Sequence, residues 1–134
     1  IRWHVRAYCE KKREYLDFVM SRFRGKPELL DASAHGRDQD LEWNNRVVAV
    51  VTPNPCLGDE QQAIIASDYA MTDGKLLIEQ RVPLMHYALE RMQVSYNGEH
   101  ANNPLLYPLV LANREELIRQ GCVFKLKNAD LQIS

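Results

Sequence analysis

The stretch RVVAVVTPNP, residues 46–55, decides the fold of most of this chain. It opens with a continuous run of branched and small apolar residues from Val47 to Val51, and the Pro-Asn-Pro at its end stops the run. A short apolar run bounded in this way is typical of a β-strand that is covered on both faces. The sequence around it must therefore supply the elements that cover this strand.

The residues that follow predict two helices and a second strand. A helix is expected over residues 59–71, after which Asp73-Gly74 turns the chain into a short strand at residues 75–80. Pro83 then stands where the first turn of a helix favours proline. Apolar residues recur on one face of this second helix at i, i+3, i+4 and i+7, namely Met85, Ala88, Leu89 and Met92. Together these elements predict a β-α-β-α unit.

Both predicted helices carry more apolar residues than so small a unit can cover. The first helix is apolar around much of its circumference, and a unit of four elements has little surface on which to bury two such helices. Pairing of two copies would cover the remainder. We therefore expect a homodimer whose interface includes Tyr69, Met85, Leu89 and Met92.

The sequence after this unit is less regular. Residues 96–104 predict a polar loop, and residues 105–111 predict an extended segment. Asn113 and Glu116 have the spacing of a capping box, which predicts a short helix that stops at Gly121. The remaining assignments are a strand at residues 123–126, a domain that extends from residue 46 to residue 127, and a tail at residues 128–134.

Upstream of the apolar run, the chain divides into a linker and a hairpin. Residues 27–45 are polar, lack a sustained period and are assigned as a linker. In residues 2–9 apolar and polar side chains alternate, as expected of a half-buried strand, and residues 15–23 predict a second strand after a polar turn. Because an isolated hairpin is marginal in water, we expect these strands to belong to a sheet or small barrel whose other strands precede residue 1 in a longer chain.

One face of the predicted hairpin concentrates groups that can bind a ligand. His4, Arg6 and Tyr8 alternate along the first strand, so an imidazole, a guanidinium and a phenol point to the same side. The arginine fork can hold a phosphate, and the rings can stack on a nucleobase. Arg22 joins this face if the second strand brings its side chain to the same side. The alternative is a solvated strand pair in which the arginines pair with nearby carboxylates. The residues expected to be structural are Trp3, on the buried face, and Phe18.

Composition and charge limit the class of protein. The chain has 134 residues, 46% hydrophobic and 26% charged, which suits one ordinary domain or two small lobes. The formal charge is +5 over residues 1–26 (eight basic, three acidic) and −6 over residues 27–134 (nine basic, fifteen acidic). A cationic segment attracts phosphate-bearing ligands, whereas the acidic remainder argues against the whole chain lying along a nucleic acid.

The sequence shows no catalytic or metal-binding motif. Its four histidines are scattered singly, no glycine-rich phosphate loop is present, and no nucleophile has a base at a recognisable spacing. Three cysteines, far apart and odd in number, favour a reducing compartment. The apolar stretches are too short for a membrane span, and no signal peptide is visible. We therefore expect a cytoplasmic protein without enzyme activity, cofactor, metal ion or membrane contact.

Two segments resemble parts of a known family of regulators. Residues 2–9, followed after a turn by residues 17–23, resemble the second half of a WYL domain, an Sm-like β-barrel in which Trp3-His4-Val5 would replace the Trp-Tyr-Leu triplet. Residues 43–94, with Pro53-Asn54-Pro55 and Val82-Pro83-Leu84, resemble the C-terminal dimerisation domain of WYL-type repressors of phage-defence operons, the BrxR and CapW group. The resemblance implies an α+β fold, with part of a WYL β-barrel in residues 1–26 followed by a small β-α-β-α dimerisation domain.

The resemblance also implies a function, that of the ligand-sensing and dimerisation portion of a bacterial transcriptional repressor. Such proteins bind operator DNA through an N-terminal winged helix-turn-helix, which is not among these residues. Their WYL barrels are thought to bind a nucleotide, a cyclic oligonucleotide or a single-stranded nucleic acid. By position, the ligand-facing residues are His4 and Arg6 on the triplet strand, and Ser21 and Arg22 on the next strand.

Two other functions fit the same residues. The cationic hairpin could serve as the platform of a single-stranded nucleic-acid-binding module without a regulatory role. Alternatively, the chain could belong to a small enzyme whose active site lies in a missing N-terminal part. A binding affinity that falls steeply with salt and rises with strand length would favour the first of these, and turnover of a nucleotide would favour the second.

Overall fold

A computed structural model describes residues 2–98 and 100–124 of the chain, without the side chain of residue 100. The chain separates into two compact units, which we name the hairpin unit, ending at Leu41, and the sheet unit, beginning at Glu42. Helices and strands both occur, and the strands of the described residues form two open sheets. The predicted α+β class is confirmed.

The hairpin unit is built on two antiparallel strands, β1 (His4–Cys9) and β2 (Glu14–Val19). The turn between them places Arg13 at a φ of 57°, and the Arg13 amide donates a hydrogen bond to the Cys9 carbonyl at 2.7 Å. The prediction that the second strand continues to residue 23 is wrong. Its alternation stops at Val19, after which Met20–Arg22 forms a 3-10 helix.

Most of the predicted linker belongs to the hairpin unit. It contains a 3-10 helix at Arg37–Gln39 and the beginning of a short helix, α1 (Leu41–Asn44). The boundary between the two units falls between residues 41 and 42, inside the stretch that was predicted to be a linker. Residues 33–40, which we name the cover segment, make side-chain contacts with the hairpin that are described below.

The sheet unit has a four-stranded sheet in the order β4-β3-β6-β5. The strands are β3 (Arg46–Pro53), β4 (Leu76–Arg81), β5 (Val94–Ser95) and β6 (Leu109–Leu111), and only the β5-β6 pair is parallel. The helices are α2 (Asp59–Asp68), α3 (Met85–Arg91) and α4 (Arg114–Arg119), with 3-10 turns at Val82–Leu84 and His100–Asn102. The order strand, helix, strand, helix agrees with the sequence pattern, and the chain adds two strands and a helix after it.

Only one face of β3 is fully covered, contrary to the prediction from its apolar run. Val47, Ala49 and Val51 are at most 3% exposed, whereas Val48 between them is 40% exposed. In an antiparallel pair, alternate residues face opposite sides of the sheet, so a run of valines can still be half solvated. The apolar run therefore reflects β-propensity as well as burial.

The hydrophobic core lies entirely in the sheet unit. Its eleven buried members are Val47, Ala49, Val51, Val82, Met85, Leu89, Val94, Tyr96, Leu109, Leu117 and Cys122. Among the described residues of the hairpin unit no hydrophobic side chain reaches the same degree of burial. A hydrophobic core thus organises one unit, and other interactions must organise the other.

Two asparagines connect the irregular segments to β3. Asn54 is fully buried, and its side-chain amide donates to the carbonyls of Ala101 and Tyr107 at 2.9 and 2.8 Å. Asn113 accepts from the Val50 amide at 2.8 Å and donates to the Val48 carbonyl at 2.9 Å, so it continues the pairing where β6 ends. Asn113 precedes α4 as predicted, but its side chain does not cap the helix because these strand contacts hold it.

The end of α4 agrees with the sequence, and the region after it differs. Gly121 takes a φ of 106°, which favours glycine and ends the helical segment. Residues 123 and 124 are not in a strand, and residues 125–134, including the predicted tail, lie outside the described residues.

Candidate functional site

The structure places His4, Arg6 and Tyr8 on one face of β1, as the alternation predicted. The register aligns Arg6 with Asp17 and Tyr8 with Tyr15, and residues directly opposite in an antiparallel pair share a face. We name these five side chains the hairpin polar face. It brings a guanidinium, a carboxylate and three rings together on two short strands.

Arg6 is held by two carboxylates on this face. Its Nε donates to Asp40 Oδ2 at 2.7 Å and its Nη2 donates to Asp40 Oδ1 at 3.0 Å, a bidentate pair. Its Nη1 lies 3.5 Å from Asp17 Oδ1. The Asp40 side chain is only 4% exposed, so the guanidinium of Arg6 compensates a carboxylate that is shielded from water.

Tyr8 is covered by a second residue of the cover segment. The rings of Tyr8 and His35 stack with their centroids 3.6 Å apart and an angle of 5° between their planes. Tyr15 meets Tyr8 edge to face at 5.2 Å and donates its hydroxyl to the Gly36 carbonyl at 2.8 Å. The hairpin polar face is therefore occupied by the cover segment at three points.

The cover segment contributes to a raised pKa of the Tyr15 phenol. Burial, and after it the nearby Asp40 carboxylate, raise the pKa of the Tyr15 phenol above its ordinary value. Both causes disfavour the negatively charged phenolate. Tyr15 is therefore held as a hydrogen-bond donor toward Gly36.

Ser21 and Arg22 lie away from the strand pairing in which the sequence placed them. Both are exposed and belong to the 3-10 helix that follows β2, where strand alternation no longer determines the direction of a side chain. The Met20 amide donates to the Trp3 carbonyl at 2.9 Å, so the 3-10 helix begins beside the start of β1. A ligand role for Ser21 and Arg22 stays a prediction.

The prediction that Trp3 lies on a buried face is wrong, since it is 79% exposed. Within the described residues a two-stranded sheet has no second layer to cover this ring. Phe18 is half-buried, pairs with Val5 on the face opposite Arg6, and lies 6.5 Å from Phe23 between ring centroids. Phe18 thus lies on the apolar face of the hairpin.

No local sequence pattern signals the contacts of Arg6 with Asp40 and of Tyr8 with His35. Asp40 lies 34 positions from Arg6, and His35 lies in a polar stretch without a period. The alternative interpretation, in which the arginines pair with nearby carboxylates, includes Asp17, whose Oδ1 lies 3.5 Å from Arg6 Nη1. The burial of Asp40 at the end of this polar stretch becomes visible only in the three-dimensional fold.

Two of the predicted dimer-interface residues are core residues of a single copy. Met85 and Leu89 are completely buried, because the apolar face of α3 packs within the sheet unit. Met92 is partly buried against the same core, and Tyr69 is 38% exposed. The prediction is therefore wrong for Met85 and Leu89, while Tyr69 remains available for contact with a partner.

The outer face of the β3-β4 pair exposes a different apolar surface. Val48 is 40% and Leu77 64% exposed, and Leu77 lies opposite Val50 on the same face of the sheet. Arg46 and Glu79, also exposed, approach to 3.9 Å on this face. We name Arg46, Val48, Val50, Leu77 and Glu79 the outer sheet face.

Within residues 2–98 and 100–124, no group of three His, Cys, Asp or Glu side chains is close enough to hold a metal ion. In the same part of the chain, no helix combines the length and the apolar character that crossing a bilayer requires.

Comparison with known proteins identifies relatives of both units. Residues 46–117 match the family model described as BrxR transcriptional regulator, C-terminal dimerization domain. The DNA-binding transcriptional repressor CapW of Escherichia coli (strain KTE188) is 35% identical over 121 residues, and that of Pseudomonas aeruginosa is 35% identical over 117 residues. Each alignment covers 87% of this chain, and the chain spans 38% of the length of either relative.

Proposed function

The chain belongs to the family of BrxR transcriptional regulators, and from this premise we propose that it is the ligand-sensing and dimerisation portion of a bacterial transcriptional repressor. The sheet unit pairs two copies. The hairpin polar face, with Ser21 and Arg22 beside it, binds a nucleotide or a nucleic-acid-derived signal that modulates operator binding. The observation that carries the proposal is the match of residues 46–117 to a dimerization domain.

Dimerisation through the outer sheet face agrees with the burial pattern. Because Met85 and Leu89 already lie inside one copy, the surface that pairs two copies has to be formed by other side chains of the matched region. The outer sheet face offers apolar side chains at its centre and one charge of each sign beside them. A two-fold axis places the same patch on both copies, so Arg46 of one copy can approach Glu79 of the other.

Sedimentation velocity of the whole chain at micromolar concentration tests this interface. Leu77→Glu places a charge at the centre of the outer sheet face and is expected to raise the dimer dissociation constant by about a hundredfold or more. Leu105→Glu makes the same change at a side chain that is 91% exposed in the same unit, and the dimer should persist. A monomeric wild type, or a dimer that dissociates with Leu105→Glu and not with Leu77→Glu, would contradict the proposal.

Ligand sensing is supported by the chemistry of the hairpin. The cationic N-terminal segment, the bidentate guanidinium of Arg6 and the ring of Tyr8 provide a phosphate receptor beside a stacking platform. Arg6 and Tyr8 are two positions apart along β1, a spacing of roughly 6 to 7 Å. This distance suits the phosphate and base of a single nucleotide.

Operator DNA would be bound by a winged helix-turn-helix that these residues do not include. The relatives are named DNA-binding transcriptional repressors, and the chain spans 38% of their length. We accordingly place the protein in the cytoplasm, in control of a phage-defence operon, without enzyme activity. In an electrophoretic mobility experiment at physiological salt, this chain alone should not distinguish an operator duplex from a scrambled duplex, and specific binding by the chain would contradict the assignment.

A further inference from the structure

The cover segment makes the same two kinds of contact with the hairpin polar face that a nucleotide would make. A nucleotide presents an anionic group and a planar ring, joined by a sugar. The cover segment presents the carboxylate of Asp40 and the imidazole of His35, joined by four residues. Each of the two groups occupies the receptor side chain that suits it.

The carboxylate takes the position expected for a phosphate. Asp40 engages Nε and Nη2 of Arg6 with both of its oxygens, at 2.7 and 3.0 Å. Arginine binds phosphate through the same parallel pair of donors. A phosphate in place of Asp40 would therefore preserve both hydrogen bonds of the guanidinium.

The imidazole takes the position expected for a base. His35 lies parallel to Tyr8 at 3.6 Å between ring centroids. Stacking on an aromatic ring is tolerant of the partner, because every base has a π-face. A nucleobase could therefore replace His35 without loss of the stacked contact.

The described contacts between the cover segment and the hairpin are polar or aromatic. All of its residues except Asp40 are exposed, and none of them contributes to the hydrophobic core. Two of its hydrogen bonds are internal, from the His35 amide to Ser33 Oγ and from the Gly36 amide to Gln39 Oε1. Internal bonds of this kind can move with the segment when it leaves the hairpin.

We propose that the cover segment is an internal stand-in for the ligand, and that a nucleotide binds the hairpin by displacing Asp40 from Arg6 and His35 from Tyr8. This inference rests on the proposed function of the hairpin as a sensor. The displacement is an exchange in which Arg6 retains two acceptors and Tyr8 retains a stacked ring. Asp40 returns to water, and the Tyr15 hydroxyl exchanges its bond to the Gly36 carbonyl for one to water or to the ligand. It converts ligand binding into release of residues 33–40, the stretch that leads to α1 and the sheet unit.

Because the ligand and the cover segment compete, substitutions in the cover segment and substitutions in the receptor side chains should change the ligand affinity in opposite directions. A ligand can bind only the protein molecules whose hairpin polar face is uncovered. Its apparent affinity is therefore its intrinsic affinity multiplied by the uncovered fraction. Weakening the stand-in must therefore strengthen ligand binding, whereas weakening the receptor must reduce it. A contact that merely shapes the site would weaken ligand binding when either partner is changed.

Three probes separate the two halves of the exchange in NMR titrations of the whole chain, namely inorganic phosphate, adenosine and AMP. Asp40→Asn should raise the affinity for phosphate and AMP by roughly three- to tenfold and leave adenosine unchanged. His35→Ala should raise the affinity for adenosine and AMP by a similar factor and leave phosphate unchanged. Asp31→Asn removes the same charge from an exposed side chain just before the cover segment, and it serves as the control for net charge. Circular dichroism verifies that each variant is folded.

The outcomes distinguish the inference from the function on which it rests. If AMP does not bind, or binds equally well to Arg6→Lys and Tyr8→Ala, the sensor function itself is wrong. Suppose that those two variants weaken AMP binding, whereas Asp40→Asn and His35→Ala leave it unchanged or make it weaker. The sensor function is then supported, and the proposal that the cover segment is a stand-in for the ligand is wrong. If Asp40→Asn does not fold, the affinity of His35→Ala for adenosine is the deciding measurement. An adenosine affinity equal to that of the wild type overturns the proposal.

Discussion

The hairpin unit and the sheet unit are stabilised by different kinds of interaction. The sheet unit buries eleven hydrophobic residues, whereas the residue buried in the described part of the hairpin unit is the acid Asp40. Hydrophobic packing is specific to shape, and no small polar molecule can replace it. Ion pairs, ring stacking and single hydrogen bonds can be exchanged for the same contacts with a ligand. The difference suits one unit to hold two copies together and the other to respond to a signal.

The largest effect is expected from a core substitution in the sheet unit. Leu89→Ala removes a completely buried side chain and should lower the free energy of unfolding of this unit by about 2 to 5 kcal/mol. Urea denaturation followed by circular dichroism measures the change. Leu105→Ala, at a side chain that is 91% exposed, is the matched control and should have little effect. If Leu89→Ala dissociates the dimer and leaves the free energy of unfolding unchanged, Leu89 belongs to the dimer interface and not to the core.

A smaller loss, of a different origin, is expected in the hairpin unit. Arg6→Ala leaves the Asp40 carboxylate buried without its bidentate partner and should cost about 3 kcal/mol. Because the loss is local, amide hydrogen exchange of β1 by NMR is the appropriate measurement, and the protection of residues 4–9 should fall.

A double substitution tests whether the loss comes from burying the Asp40 carboxylate without the guanidinium of Arg6. Arg6→Met together with Asp40→Leu replaces the pair with apolar side chains of similar size and should restore most of the protection. If the single variant keeps its protection, the ion pair does not organise the hairpin unit, and the comparison between the units loses its basis.

The two units also differ in how far their sequences predict them. In the sheet unit, local sequence patterns predicted β3, α2, β4 and α3, because an apolar run, turn and proline signals and the helical periodicity of α3 all lie among neighbouring residues. The same periodicity identified the apolar face of α3 but not what covers it, so Met85 and Leu89 were assigned to a dimer interface. In the hairpin unit the decisive contact joins residues 34 positions apart, and no local pattern encodes the pairing of Arg6 with Asp40.

A third, smaller effect depends on pH and belongs to the sheet unit. Tyr96 donates to Glu90 Oε1 at 2.9 Å, and burial, followed by this hydrogen bond, raises the pKa of its phenol from 10.0 to about 12. The stabilising contribution of the neutral phenol is complete below pH 10 and is lost as the pH rises to 12, because the unfolded chain ionises first. Tyr96→Phe should cost about 1 kcal/mol at neutral pH through the lost hydrogen bond. Urea unfolding should show that the stability gap between wild type and variant narrows above pH 10, and a constant gap would contradict the assignment.

The smallest effect on stability is expected at Trp3, which the sequence predicted to be a structural residue on the buried face. Trp3 is 79% exposed, so Trp3→Ala removes little buried surface and should change the stability of the hairpin unit by less than about 0.5 kcal/mol. The Trp3 backbone carbonyl, which accepts from the Met20 amide at 2.9 Å, survives the substitution, and the register of β1 against β2 should therefore persist. Hydrogen exchange of β1 measures the change on the same scale as Arg6→Ala. If Trp3→Ala lowers protection as much as Arg6→Ala does, an apolar contact stabilises the hairpin after all, and polar contacts alone do not distinguish it from the sheet unit.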